Sequence, residues 1–399
     1  MIGMTKVLII GGGIAGPVTA TALREAGIEA VVHEAYAVGA DDIGAFLTIM
    51  HNGVDALRAI GLDQVVADNS FAADGLNLYD GTGALVAETR WHTDITGPRT
   101  LRRSDLYRAL HDEAARRGVE IRHGKRLVHA EHTGDGVRAT FADGTRAEGD
   151  VLVGADGLHS TTRRLLDPAA PEPRYTGLNI FYGYTEGIAP TTEPGRYHMI
   201  TGGRAFFGHT TAPDGRTWWF ARVAGDESHG GTPAEWVEQA AGAFADDDTP
   251  AARIVRASGE VRRGNAYDVP STPVWHDGRL VLVGDAAHAA SPAAGQGASM
   301  ALEDGVVLAM CLRDCSEPRA AFEHYERLRR VRVEALVSMS ARVGADRSAD
   351  SESFYRHHIE WNGSVVNDSA FGHSAFGHSV PARPGSGQAA EDQVRKGQL

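Results

Sequence analysis

Lys6-Val7-Leu8-Ile9-Ile10-Gly11-Gly12-Gly13-Ile14-Ala15-Gly16, continued by Pro17 to Ala26 and by Glu29-Ala30-Val31-Val32-His33-Glu34, is the stretch that decides the fold. The apolar run ahead of the glycines predicts a buried strand, Pro17 to Ala26 a helix stopped by Gly27, and Glu29 to His33 a second strand. Strand, G-x-G-x-x-G turn, helix and a strand closed by an acid form a dinucleotide-binding unit. Gly11 and Gly13 allow the tight turn and a close approach to a pyrophosphate, with Ile14 and Ala15 in the same cradle. Gly16 lets helix and strand pack together. Glu34 is placed to take ribose hydroxyls and would repel a phosphate there, so an unphosphorylated adenosine ribose is expected. This turn alone leaves NAD and FAD both open.

A second glycine turn lies far along the chain. Leu280 to Val283 is a short apolar strand ended by Gly284-Asp285; Pro292 and Gly295-Gln296-Gly297 follow, and Ala298 to Met310 reads as a helix. Strand, turn and helix start make a concave surface of free N–H groups, and the open end of a helix carries roughly half a positive charge. Asp285, at the carboxyl end of its strand, can accept from a sugar-like hydroxyl. The long FAD molecule needs such a second, distant reading element, so the pair of turns favours FAD.

At 399 residues the chain exceeds one ordinary core and predicts two domains. A formal charge of −13 argues against nucleic acid or an anionic membrane surface as the main partner. No apolar run approaches bilayer length, so no stable membrane insertion is expected. Val7 to Ile10 is too short for a signal-peptide core, and Cys311 and Cys315 make a poor disulfide framework, so a cytoplasmic location is expected. The histidines show no H-E-x-x-H or comparable spacing, so no metal is expected.

Three motifs in order carry a resemblance: Gly11 to Gly16 with Glu34; Val153-Gly154-Ala155-Asp156-Gly157-Leu158-His159-Ser160 with Arg163; and Gly284-Asp285 through Gly297. Together they resemble the FAD-dependent aromatic hydroxylases, the para-hydroxybenzoate hydroxylase-like monooxygenases that include the tetracycline-inactivating enzymes. The resemblance implies FAD, with NADH or NADPH as reductant and O2 as co-substrate. It implies hydroxylation or epoxidation of an aromatic or polycyclic small molecule, as in antibiotic biosynthesis, through a flavin C4a-hydroperoxide. The segment around Ala45 would pass beside the flavin ring, and Arg103, in an Arg-x-x-Leu match, would lie near the pyrophosphate. Leu127 would offer a backbone contact to adenine, and Asp156 would serve FAD and transient nicotinamide binding. The N–H groups from Gly295, Gln296 and Gly297 to Ala298 would face the reduced ring, with Pro292 shaping the floor beside it. No side chain is assigned as catalytic acid or base. The absence of a second G-x-G-x-x-G and of a C-x4-C pair counts against disulfide reductases, and the absence of Trp-x-Trp-x-Ile-Pro against halogenases.

The expected fold class is α/β: a Rossmann-like FAD-binding domain with a parallel sheet over 1–170 and 276–315, an antiparallel-sheet substrate domain over 171–275, and a long C-terminal helix in a helical region 316–380. Disorder is predicted over 381–399. Within 170–275, alternating runs rich in Tyr, Phe and Trp predict the antiparallel sheet. Tyr182, Tyr184, His198, Phe207, His209, Trp219 and Arg222 are its candidate substrate contacts. Ser104 is a plausible N-cap for the helix that Leu101 to Leu106 opens, the Arg-rich helix Glu317 to Gly344 is expected to present a solvated face, and the paired Phe-Gly-His-Ser units at 371–379 could cap the substrate entrance. The chain is expected to act as a monomer or homodimer.

Overall fold

The computed structural model describes residues 6–37, 45–91, 97–188, 192–345 and 358–366. Its first layer is a five-stranded, all-parallel sheet in the order 280–282, 151–154, 6–10, 29–33, 120–122. Strand Lys6–Ile10 is central and covered on both faces: Val7 and Ile9 pack into the core shared with the helices, while Leu8 and Ile10 join a second core with Leu127, Val137 and Phe141. That double covering is why the strand reads as a continuous apolar run rather than an alternating one. Helices Ala15–Glu25 and Gly297–Asp314 lie together on one face, close enough that a Cβ on Gly305 would stand 2.7 Å from Thr19 Oγ1. A three-stranded antiparallel sheet, 127–132, 137–141 and 146–149, covers the other.

The second layer is a seven-stranded sheet in the order 258–268, 174–185, 217–224, 205–211, 196–201, 75–80, 85–90. All its pairings are antiparallel except 196–201 with 75–80. Five strands come from the expected substrate region. Gly75–Asp80 and Leu85–Arg90 come from the first segment and cross over to join it, so that sheet is not built by 171–275 alone. Helices Pro233–Gly242 and Ala251–Arg256 cover one of its faces over Phe181, Phe207, Trp219 and Phe244. Thr232 starts the first of these with a capping box to Glu235, as the Thr-Pro start signal predicts.

Three expectations change. Arg99–Arg102 is a strand paired antiparallel with Phe46–Ile49; the helix starts at Arg103, and Ser104 is inside it rather than its cap. Helix Pro318–Ala345 is present, but its arginines do not all face solvent: Arg329 is buried against Glu303 and Asp304. The described part of the C-terminal region beyond that helix, 358–366, is not helical. It is held to the body by Ile359 N–H donating to Asp55 and Val365 N–H donating to Asp314. The Phe-Gly-His-Ser units and the tail 381–399 lie outside the described residues.

Candidate functional site

Ile10, Gly154 and Leu282 stand side by side at the carboxyl ends of three adjacent parallel strands. All three sequence motifs therefore leave the sheet at one edge, where open α/β sheets place their ligand crevice. Gly11 has φ +106°, and a Cβ there would stand 2.3 Å from the Ala155 carbonyl oxygen, so only glycine lets the first turn close on the second. Gly284, at φ +58°, brings the third turn against the first: its Cβ would stand 3.3 Å from that of Ala15. Gly16 packs so tightly that a Cβ would meet the Gly11 carbonyl at 2.0 Å, whereas Gly13, Gly157 and Gly295 face open space. The convergence of closed and open glycines forms a backbone cradle that fits a pyrophosphate.

At one end, Glu34 is nearly buried, and its carboxylate accepts from Gly12 N at 2.6 Å and Tyr36 N at 2.9 Å. A carboxylate has about four acceptor directions, so ribose hydroxyls can still be received by a group already oriented. Gly12, which the sequence left without a role, is held from both sides, since His111 Nε2 lies 2.5 Å from its carbonyl oxygen. Burial lowers the His111 pKa, so the neutral ring donates that bond. Nothing near His111 in sequence announces this, because it arrives on helix Arg103–Arg116. Leu127 is buried, and Lys125, two residues before it, donates its N–H to the Glu34 carbonyl, so this segment flanks the same end.

Asp156 spends its carboxylate on its own loop, accepting from Ser160 Oγ at 2.5 Å and from Thr162 N and Oγ1 at 2.9 and 3.0 Å. Arg163, buried, donates to Leu158 O at 2.7 Å and Ala286 O at 3.0 Å, joining the second and third turns. Asp285 is exposed at the start of the short helix Asp285–His288, with its Oδ1 3.9 Å from where a Gly297 Cβ would stand. Pro292 opens a 3-10 turn, Gly295 leaves it in the left-handed conformation, and Gln296 precedes helix Gly297–Asp314, whose first turn holds Ala298. Arg103 is exposed, and its N–H donates to the Ala45 carbonyl at 3.0 Å. Ile14 immediately precedes helix Ala15–Glu25.

The seven substrate candidates divide by strand parity. Residues opposed across a sheet share a face, so Tyr182 with Phe220, Tyr184 with Trp218, and Arg222 with Phe206 form one set. Their face turns toward the cradle: Arg102 stacks its guanidinium 4.9 Å over Tyr184, and Arg222 donates to Ala293 O at 3.0 Å while lying 3.9 Å over Phe206. His198, Phe207, His209 and Trp219 belong to the opposite face. Phe207 and Trp219 pack under the helices, His209 lies between Phe207 and His198, and the His198 ring is tilted against Tyr79 at 4.9 Å. Phe207, His209 and Trp219 are fully buried there and His198 is half-buried, so these four lie on the side of the sheet away from the crevice. The same face also carries Met199, Phe206, Trp218 and Phe220, which the sequence did not single out and the register reveals, and Arg102 reaches it from strand Arg99–Arg102. Tyr182 and Tyr184 also line a cavity of about 820 Å³ with Arg102, Ser104, Arg216 and Arg262. Burial pushes the Tyr184 hydroxyl up to about 12, so it stays protonated. Among the described residues no group of three His, Cys, Asp or Glu could hold a metal, and no helix is long and apolar enough to cross a membrane.

A parallel sheet with a dinucleotide turn, a second glycine turn beside it and a large sheet roofing the crevice define a flavin-binding oxidoreductase. The chain belongs to the FAD-dependent monooxygenases: the family model described as FAD binding domain matches residues 4–340. It is 32% identical over 353 residues to an aurachin C monooxygenase/isomerase of Stigmatella aurantiaca, covering 85% of this chain and 88% of that one. Identity is also 32%, over 362 residues, with 3-amino-4-hydroxybenzoate 2-monooxygenase of Streptomyces cremeus, covering 86% and 87%. Among solved structures, Klebsiella pneumoniae HpxO complexed with FAD and uric acid matches with TM-score 0.78 and 27% identity over 86% of this chain and 90% of that one. Its cofactor is FAD.

Proposed function

We propose that the chain uses NADH or NADPH and O2, in the cytoplasm, to hydroxylate or epoxidise an aromatic or polycyclic small molecule of secondary metabolism. The observation that carries this reading is the aromatic face of the seven-stranded sheet, joined to the turn Pro292–Ala294 by the Arg222 bond to Ala293. Phe206, Trp218 and Phe220 lie on that face, and Phe46 adds a ring 5.5 Å from Trp218. These rings pack on one another, and a planar substrate would lie against the apolar face they make, with water kept from the reacting edge. The relative named for an aminohydroxybenzoate, an aromatic acid, supports the class.

Bound FAD supplies the redox chemistry, the hydride acceptance and the activation of O2. The chain's own residues do the rest. Glu34 and Asp285 would receive hydroxyls of the cofactor, Arg103 would serve its pyrophosphate, and Leu127 would offer its backbone to adenine. Ala45 borders the ring, and Asp156 holds the second turn in shape. The N–H groups from Gly295 to Ala298 present the positive end of helix Gly297–Asp314 to an electron-rich ring edge, worth about 0.3–1 kcal/mol and up to about 2 when partly buried. Arg222, bonded to Ala293 and lying over Phe206, would offer a cation to a carbonyl or anionic substituent of the substrate.

The test is NADH and NADPH oxidation by the FAD-loaded protein with a panel of aromatic and polycyclic compounds that includes aminohydroxybenzoates and urate. The reading expects at least one compound to accelerate oxidation and to gain one oxygen atom by mass spectrometry. Unaccelerated oxidation across the panel with no oxygenated product would contradict it.

A further inference from the structure

A cluster of buried charges lies directly behind the third turn. Glu303 and Asp304, consecutive on helix Gly297–Asp314, are both fully buried, and Arg329 from helix Pro318–Ala345 is buried between them. The two carboxylates divide the work. Glu303 ties helices together, accepting from Asn52 Nδ2 at 2.5 Å, from Arg332 Nε and Nη2 at 3.1 Å each, and from Arg329. Asp304 instead reaches the turn. Its Oδ2 accepts from Gly284 N at 2.8 Å and meets His288 Nε2 at 2.5 Å, while its Oδ1 accepts from Arg329 Nε at 2.7 Å.

Gly284 precedes the short helix Asp285–His288 and His288 ends it, so one carboxylate grips both ends of that helix. The same helix opens on Asp285, exposed and beside Gly297, so its placement follows the grip on Gly284 and His288. We infer that Asp304 is a positioning residue for the flavin site: it sets the angle at which Asp285 and the Gly284 turn meet the cofactor, acting through the backbone of Gly284 and the ring of His288. The inference rests on the chain holding FAD, not on which substrate is oxygenated.

The chemistry requires a carboxylate. Three donors converge on it, and an ionised carboxylate is acceptor-only. The amide of Asn, however placed, points an N–H at Gly284 N, His288 or Arg329, and the turn must move to relieve it. Glu303, one residue away and equally buried, has no bond to the turn and provides the control.

The experiment titrates FAD into apoprotein of the wild type, Asp304→Asn and Glu303→Gln, reading the dissociation constant by fluorescence quenching and the environment of bound FAD by visible circular dichroism. Apoprotein melting is recorded alongside. Asp304→Asn is expected to raise the dissociation constant about tenfold or more and to change the visible bands. Glu303→Gln is expected to lower the melting temperature while leaving both flavin readouts near wild type. Equal weakening by the two substitutions, or a wild-type constant and spectrum for Asp304→Asn, overturns the inference and leaves the cluster with a folding role alone. If Asp304→Asn does not fold, His288→Gln, which removes one grip and no charged carboxylate, is read instead: weaker FAD binding at unchanged melting supports the inference, and an unchanged constant overturns it.

Discussion

Gly11 combines a left-handed backbone with a close approach to the second turn. Its φ of +106° and the 2.3 Å approach a Cβ would make to the Ala155 oxygen mean that Gly11→Ala must both strain the backbone and push the second turn away. Strain of this kind costs on the order of 1–3 kcal/mol. The variant is expected to fold with a lowered melting temperature and to purify without flavin, read as the flavin-to-protein absorbance ratio; a fully yellow Gly11→Ala protein would contradict the cradle. Arg222 can be tested at the same scale. Arg222→Met removes the bond to Ala293 while keeping much of the side-chain bulk over Phe206. It is expected to retain FAD but lose substrate-stimulated NAD(P)H oxidation about tenfold or more, a loss of about 1.4 kcal/mol. Oxidation stimulated as in the wild type would remove Arg222 from the substrate face.

Among elements, helix Pro318–Ala345 contributes most that sequence could not reveal. Its run of Arg and Glu reads as a solvated face, and Arg330 does pair with Glu326 and Glu334 in that manner. Arg329, next in line, points inward, because its partners Glu303 and Asp304 lie on another helix and no local pattern couples the two. Arg329→Met would leave two carboxylates buried without their common cation, a change that costs about 3–5 kcal/mol. Urea unfolding is expected to show that loss; a change within 1 kcal/mol, roughly a surface-pair effect, would mean the cluster is not held as described. The glycine turns, by contrast, were legible because their information is local: strand, turn and helix start follow one another within about a dozen residues. The substrate face was legible only in part. Alternation shows that the strands have two faces, but which face turns toward the crevice depends on partners far away in sequence, so Tyr182, Tyr184 and Arg222 on one face were singled out together with His198, Phe207, His209 and Trp219 on the other. For the same reason Gly75–Asp80 and Leu85–Arg90 read as strands without revealing which sheet they join.

At the scale of the whole molecule, two histidines in separate layers make stability depend on acid. Burial, helped by Arg122, lowers His33 from 6.5 to about 4, and burial, helped by His198, lowers His209 from 6.5 to about 3. Both are neutral in the folded protein, so below pH 6.5 the unfolded chain binds protons that the native state refuses. Their contribution is complete above that value and is lost as pH falls through about 4 for His33 and about 3 for His209, on the order of 3 and 5 kcal/mol respectively. Unfolding free energy measured from pH 7 down to about 4 should therefore fall, and His209→Phe should flatten the slope; a slope unchanged by that substitution would mean His209 is not buried neutral.

The account as a whole turns on one arrangement, in which turns at Gly11 and Gly284 hold a single FAD between them, and diffraction from FAD-loaded crystals tests it most directly. Density is predicted with the adenosine ribose hydrogen-bonded to Glu34, the pyrophosphate along Gly11 to Gly16, and the ring side of the molecule passing Asp285 toward Gly295 to Ala298. Density that placed the adenosine away from Glu34, or left Asp285 facing only solvent, would contradict it.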